Sequence, residues 1–160
     1  MIILSNRVLG LGLALAVSIS TITSAPMAIA STSPQEALNS QECNAALGGL
    51  GRLLLSGRRL DVTGASYLPN SYRAFPSDRP LELSITITGE DVNAVMRSPQ
   101  LLTTMSRAFI EGCPLVGLVT FAVEYSGWIN SFGVVNGDVV PFQCLDLGGQ
   151  EPVWGQQYCD

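Results

Sequence analysis

The sequence contains no histidine and no lysine. Without histidine, neither a Ser-His-Asp triad nor a Cys-His pair can activate a nucleophile, and the commonest protein ligand of metals is missing. The glycine-rich segment 48–59 lacks a G-K-[ST] motif and follows no strand, so it does not indicate a phosphate loop. We therefore expect no metal site and no cofactor, and any catalysis would have to use carboxylates, tyrosine, arginine or an unassisted serine.

Positive charge is also scarce. The chain carries 8 arginines against 13 acidic residues, a net charge of −5. Nucleic-acid phosphates and anionic lipid surfaces require a cationic face. This composition argues against both as partners.

The first thirty residues have the pattern of a secretory signal peptide. Arg7 precedes an apolar run over 8–19, and a small-residue cleavage motif ends at Ala30. An uncleaved membrane anchor is the alternative, but the run is shorter than the roughly 20 residues that span a bilayer. We predict a signal peptide over 1–30 and one exported domain over 31–160, periplasmic or secreted, with no integral membrane segment after cleavage.

Four cysteines follow the predicted cleavage site: Cys43, Cys113, Cys144 and Cys159. An even number in an exported chain predicts two disulfides. A four-cysteine zinc site is the rival interpretation. Such sites use closely spaced pairs, which this sequence does not have.

The order of the predicted elements restricts the disulfide pairing. Cys113 precedes the first strand of a three-stranded meander and Cys144 follows the third, so we expect them roughly 20–30 Å apart at about 3.3 Å per residue. A disulfide requires Cα atoms within about 7 Å. Two schemes remain open. We favour Cys43–Cys113 with Cys144–Cys159, because Cys43 lies on an apolar helix stripe and Cys113 follows the second helical region.

Two helical regions are predicted. The first covers 31–57, with Ser33 as its cap and an apolar stripe formed by Cys43, Leu47, Leu50 and Leu54. The second opens after the capping pattern at 88–91, restarts at Ser98-Pro99 and stops at Gly112.

Period-two alternation predicts a half-buried strand over 81–88, and a mostly apolar run predicts a central strand over 115–125. Asn136-Gly137 is a strong hairpin signal that joins a strand over 128–135 to one over 138–144. Pro141 places that last strand at an edge. The turn-rich segment 61–80 and the tail over 145–160 are predicted to be loops.

These elements predict an α+β fold. A mixed sheet of about four strands contains one β-α-β crossover followed by an antiparallel meander, with helices on one face and the other face partly open. One core should collect six apolar side chains: Leu83, Ile85, Met105, Phe109, Val119 and Phe121.

Several motifs over 98–144 resemble a group of small secreted proteins of cyanobacteria that have no known activity. They are Ser98-Pro99, Cys113-Pro114, Gly127-Trp128, Phe132-Gly133, Asn136-Gly137 and Phe142-x-Cys144. The resemblance implies export and implies nothing about chemistry.

Two functions follow from the candidate residues. Tyr125, Trp128 and Phe132 could offer an aromatic surface to an envelope protein or glycan, which predicts a non-enzymatic binding or interaction domain of the periplasm or cell envelope. The alternative is a carboxylate-dependent hydrolase acting on glycans, in which Glu124 would be catalytic and Glu90 or Asp91 would be its partner. The simpler interpretation of those carboxylates is a solvated strand end and charges at a helix start.

Overall fold

The computed structural model describes residues 39–145 and 151–159, which belong to one compact unit. The predicted signal peptide over 1–30 and the predicted cap Ser33 lie outside the described residues. The described residues form three helices and seven strands: α1 Gln41–Leu55, β1 Leu60–Pro69, β2 Leu81–Gly89, α2 Val92–Met96, α3 Pro99–Gly112, β3 Val116–Val123, β4 Ile129–Val135, β5 Asp138–Pro141, β6 Gln143–Leu145 and β7 Gln156–Tyr158.

The main sheet has the order β1-β2-β3-β4-β5. Strands β2 and β3 are parallel and are joined by the crossover through α2 and α3, whereas the other neighbours are antiparallel. The predicted α+β class, the β-α-β crossover and the following meander are confirmed. The hairpin at Asn136 and Gly137 is also confirmed, and both residues have the positive φ that its turn requires, 53° and 89°.

Strand β1 corrects the prediction of a loop over 61–80. It pairs along its whole length with β2, apart from a bulge between Val62 and Gly64. Seven of its ten residues are exposed, so it lacks the alternation by which a half-buried strand is recognised. An exposed edge strand needs no such pattern, because main-chain hydrogen bonds to β2 hold it.

One apolar cluster forms the core. It contains Leu83, Ile85 and Ile87 of β2 together with residues of α1 and α3, and all six side chains predicted to share a core belong to it. The intervening residues of β2 are only partly buried, as period-two alternation requires. The opposite face of the sheet is therefore polar along β2.

Helix α1 begins at Gln41, because the Ser40 hydroxyl accepts a hydrogen bond from the Cys43 N–H at 3.2 Å. Its other end is closed by Arg58, whose guanidinium donates to the Leu53 carbonyl at 2.7 Å. Pro99 opens α3 at the first helical position, as predicted.

The segment 88–91 differs from the predicted helix start. Strand β2 continues to Gly89, and Asp91 stands at the N-cap of α2 without capping it. The Asp91 carboxylate instead accepts a hydrogen bond from the Arg59 N–H at 2.7 Å. These residues therefore connect the end of β2 to the start of β1.

Two disulfides are present, Cys43–Cys113 and Cys144–Cys159, with Cα separations of 4.5 and 5.4 Å. The favoured pairing is confirmed. The first bond joins α1 to the end of α3. The second bond joins Cys144 of β6 to Cys159, which follows β7. The prediction of a loop-like tail is wrong, because the tail contains β7, which pairs in parallel with β6. Within the described ranges, no helix has the length and apolar character to cross a membrane.

Candidate functional site

The predicted aromatic surface is only partly assembled. The Tyr125 side chain is fully exposed, and Trp128 is half-buried against the core cluster. Phe132 is 2% exposed and packs edge-on against Phe121, with 6.0 Å between ring centroids. Its register partner is Val119, which is also buried, so Phe132 points into the core. The prediction of Phe132 as a surface ligand contact is corrected.

The predicted carboxylates serve different local roles. Glu124 follows β3, and its backbone N–H donates to the Ile87 carbonyl at 3.0 Å. Glu90 forms an ion pair with Arg59, and Asp91 accepts the Arg59 N–H. Arg59 thus holds Glu90 and Asp91 at the start of β1. Catalysis by Glu124 stays a prediction.

A different polar cleft lies on the face of the sheet that carries the partly buried residues of β2. Its volume is about 450 Å³. Three strands supply its floor, and two segments outside the main sheet, one after β1 and one in the tail, supply its walls. The lining residues are Ser71, Tyr72, Arg73, Glu82, Thr120, Ile129, Ser131, Glu151, Pro152 and Tyr158.

The floor contains buried hydroxyl groups. Thr120 on β3 and Ser131 on β4 are register partners, and their hydroxyl oxygens are 3.1 Å apart. The Ser131 N–H donates to the side-chain oxygen of Gln157 at 2.9 Å. Gln157 is 4% exposed, so the tail strand β7 is fixed to the floor by a buried hydrogen bond.

Two groups that line the cleft, Glu82 and Tyr72, have raised pKa values. Burial raises the pKa of Glu82, and a hydrogen bond with Thr120 offsets part of that rise. Burial, followed by the negative charge of Glu82, raises the pKa of Tyr72, while a hydrogen bond with Ser131 opposes both. Tyr72 therefore keeps its proton at neutral pH, and Glu82 is a carboxyl group whose charged form is disfavoured.

Tyr72 is positioned by two aromatic rings. Its ring meets Phe142 and Trp154 edge-on, at centroid distances of 5.3 and 6.1 Å. The indole N–H of Trp154 donates to the Val134 carbonyl at 2.7 Å. Beneath them, a Cβ at Gly133 would lie 2.6 Å from a ring carbon of Phe142, so only glycine permits this approach.

The cleft mouth carries one ion pair. The Arg73 guanidinium and the Glu151 carboxylate are 2.8 Å apart, and both side chains are more than 70% exposed. Such a pair contributes at most about 1 kcal/mol. It connects the segment after β1 to the tail, which the bridge between Arg73 and Val153 also does.

The sequence does not predict the cleft, although the position of Glu82 in β2 is one sign of it. Glu82 alternates with buried residues in the strand that was predicted most clearly, so its place on the polar face could be foreseen. The walls could not be foreseen, because Tyr72 and Glu151 belong to segments that were predicted as loops. Only the tertiary structure brings them to Glu82.

Replacing Glu82 with glutamine is expected to raise the melting temperature near neutral pH. The raised pKa means that, above the ordinary value of 4.5, the folded state holds the Glu82 proton more tightly than the unfolded chain does. The free energy of unfolding of the wild-type protein therefore falls as the pH rises above 4.5. The glutamine variant avoids that loss, because its side chain does not titrate. Thermal unfolding should give the Glu82→Gln variant a higher melting temperature than the wild-type protein at neutral pH, and this difference should vanish below pH 4.5.

The matched control is Glu111→Gln, which removes an exposed carboxylate from α3. It should not reproduce the pH-dependent gain. An equal gain in both variants would show that the change in net charge, and not the burial of Glu82, is the cause.

No family model, no curated protein and no solved structure matches the chain. Among residues 39–145 and 151–159, no three histidine, cysteine, aspartate or glutamate side chains are grouped as a metal site would need.

Proposed function

We propose that this is an exported, disulfide-stabilised binding domain of the periplasm or cell envelope, and that its polar cleft binds a short glycan. One observation carries the proposal. The buried hydroxyls of Thr120 and Ser131 and the partly buried carboxyl of Glu82 form a polar floor in a cleft of about 450 Å³. Polar groups are costly to bury, and a sheet face with no ligand could be closed by apolar side chains instead.

The residues of the cleft match the chemistry of a sugar. Sugar hydroxyls both donate and accept hydrogen bonds, as do the hydroxyls of Thr120, Ser131 and Tyr72. Arg73 adds donors at the mouth. The rings of Tyr72 and Tyr158 line the walls, where the apolar faces of a sugar can pack. The volume lies within the range of about 300–1,000 Å³ that is usual for small-ligand sites.

Charge favours a neutral glycan over an anionic ligand. Two carboxylates, Glu82 and Glu151, line the cleft, and its arginine, Arg73, is already paired with Glu151. The chain as a whole is also negative. A phosphate or a polyanion would therefore be repelled.

The alternative is a carboxylate-dependent hydrolase acting on glycans, and one observation favours it. Glu82 and Glu151 line the same cleft, and burial raises the pKa of Glu82. A carboxyl group with a raised pKa suits a general acid, and a second carboxylate can act as base or nucleophile. In that case the catalytic pair would be Glu82 and Glu151, and Glu124 would not take part.

The test is calorimetric titration of the oxidised domain, residues 31–160, with neutral oligosaccharides and with peptidoglycan fragments. We expect one of the neutral sugars to bind, and Glu82→Gln to weaken that binding about tenfold, because a neutral amide oxygen accepts a hydrogen bond from a sugar hydroxyl less strongly than a carboxylate does. Tyr125→Ala is the matched control, since Tyr125 is fully exposed and does not line the cleft.

The outcomes separate the candidate functions. Binding that Tyr125→Ala abolishes and Glu82→Gln spares would assign the ligand to the surface of Tyr125 and Trp128. Release of sugar products that is lost in both Glu82→Gln and Glu151→Gln would show the hydrolase. A failure of every sugar and fragment to bind would refute the glycan proposal.

A further inference from the structure

Strand β1 forms an outer edge of the main sheet that no described element covers. Among the described residues, β1 pairs with β2 on one side and with no strand on the other. It is ten residues long, and seven of these residues are exposed. A long edge with unpaired N–H and C=O groups is a template for pairing with another strand.

The opposite edge of the sheet, strand β5, is protected against pairing with a strand of another molecule. Strand β5 has four residues, begins with Asp138 and ends at Pro141. Its Val139 carbonyl accepts a hydrogen bond from Arg107 at 3.5 Å. Shortness, charge and proline are the usual guards of an edge. Strand β1 also has one charge, Asp61, together with a bulge and Pro69, but it is ten residues long, and these features leave the segment 64–68 regular between them.

We infer that β1 pairs antiparallel with β1 of a second copy, forming a two-fold symmetric dimer with a continuous ten-stranded sheet. The regular segment is complementary to itself when the axis passes through Ser66. Leu68 of one copy then faces Gly64 of the other, and Tyr67 faces Ala65, so each large side chain opposes a small one. Leu68 is 44% exposed in the monomer and would be covered.

Charge placement supports this register. Asp61 is five residues from Ser66, so the two copies of Asp61 lie at opposite ends of the pair, roughly 33 Å apart at about 3.3 Å per residue. No like charges meet across the axis. A two-fold axis perpendicular to the sheet also keeps both copies of α1 on one face.

An apolar groove beneath β1 fits the same partner. Helix α1 and the sheet enclose about 210 Å³ there, lined by Leu47, Leu50, Gly51, Leu55, Val62, Ala65 and Ile85. Leu55 and Val62 are 41% and 39% exposed. A single added strand would cover the main-chain edge alone, whereas a second copy also brings its own α1 and groove to this side.

The test is light scattering during size-exclusion chromatography of the oxidised domain over a range of concentrations. We expect a dimer, and Ser66→Lys should raise its dissociation constant about tenfold or more, because two ammonium groups meet on the axis. Ser77→Lys is the matched control, since it places the same charge at another exposed serine, away from β1. It should leave the dimer intact.

A crosslink tests the register itself. Ser66→Cys should give a covalent dimer on oxidation, because paired residues of adjacent strands have Cα atoms about 4.5–5.5 Å apart, within disulfide range. Thr63→Cys should not, because its two copies lie roughly 20 Å apart at about 3.3 Å per residue.

A protein that remains monomeric at every concentration would overturn the inference, as would a dimer that Ser66→Lys does not weaken. A monomer whose β1 captures an extended apolar peptide of another protein would equally refute self-pairing. These results are independent of whether the cleft binds a glycan.

Discussion

Replacing Phe109 with alanine is expected to lower the free energy of unfolding by about 3–5 kcal/mol. The Phe109 side chain is 1% exposed and lies in the core cluster between α3 and the sheet. Its ring stacks on Tyr67 of β1, with 6.4 Å between centroids and 27° between planes. The truncation would leave a cavity and remove the contact that holds the edge strand against α3.

Urea unfolding followed by circular dichroism measures this loss. A domain of this size has roughly 5–15 kcal/mol of stability in total, so the variant should unfold at a much lower urea concentration. Tyr125→Ala is the control, since it removes a fully exposed aromatic ring and should change the midpoint little. Similar midpoints for both variants would show that α3 does not pack on the sheet through Phe109.

Removing the Cys43–Cys113 disulfide by a double alanine substitution is expected to cost about 4 kcal/mol. The bond joins residues 70 apart in sequence, and closing a loop of that length removes much entropy from the unfolded chain. Both cysteines are buried, so alanine leaves no unpaired polar group behind. The free energy of unfolding of the double variant gives the comparison with the wild-type protein.

The matched variant is the double alanine substitution of Cys144 and Cys159. These residues are only 15 apart, so the expected loss is smaller, about 3 kcal/mol. This variant should also loosen the cleft locally, because the two residues before Cys159 contribute to it: Gln157 bonds to the floor and Tyr158 lines a wall. A larger loss from the short loop than from the long one would contradict the chain-entropy account.

The fold was predictable wherever local pattern and burial coincide. The alternation over 81–88 requires one buried face, and the turn at Asn136 and Gly137 requires residues that tolerate positive φ. Both are properties of a short segment. The β-α-β crossover was also predictable, because a long helical segment that connects two neighbouring strands of one sheet allows them to run parallel.

What could not be predicted depends on contacts between distant segments. Strand β1 is exposed on most of its length and carries no apolar period, so only its pairing with β2 reveals it. The cleft combines Tyr72, Glu82 and Glu151, which lie far apart in sequence. Phe132 was assigned to the surface for its aromatic character, whereas its register with Val119 decides its direction.

The predicted disulfide pairing is confirmed, but one premise behind it is wrong. The third strand of the meander does not run the full length of the sheet. Strand β5 ends at Pro141, which pairs with Phe132, and Phe132 in turn pairs with Val119 near the middle of β3. The ends of the meander are therefore closer than full-length strands would place them, and the positions of Cys43 and Cys113 on their helices are the better reason for the pairing.

The disulfide connectivity also has a consequence for how the chain matures. Each bond joins cysteines that are consecutive in the sequence, the first with the second and the third with the fourth. In the export that we propose, the chain would enter an oxidising compartment amino-terminus first and present Cys113 before Cys144, so each thiol would meet its native partner before a competing one emerges. Oxidation in the order of arrival would then yield the native bonds directly.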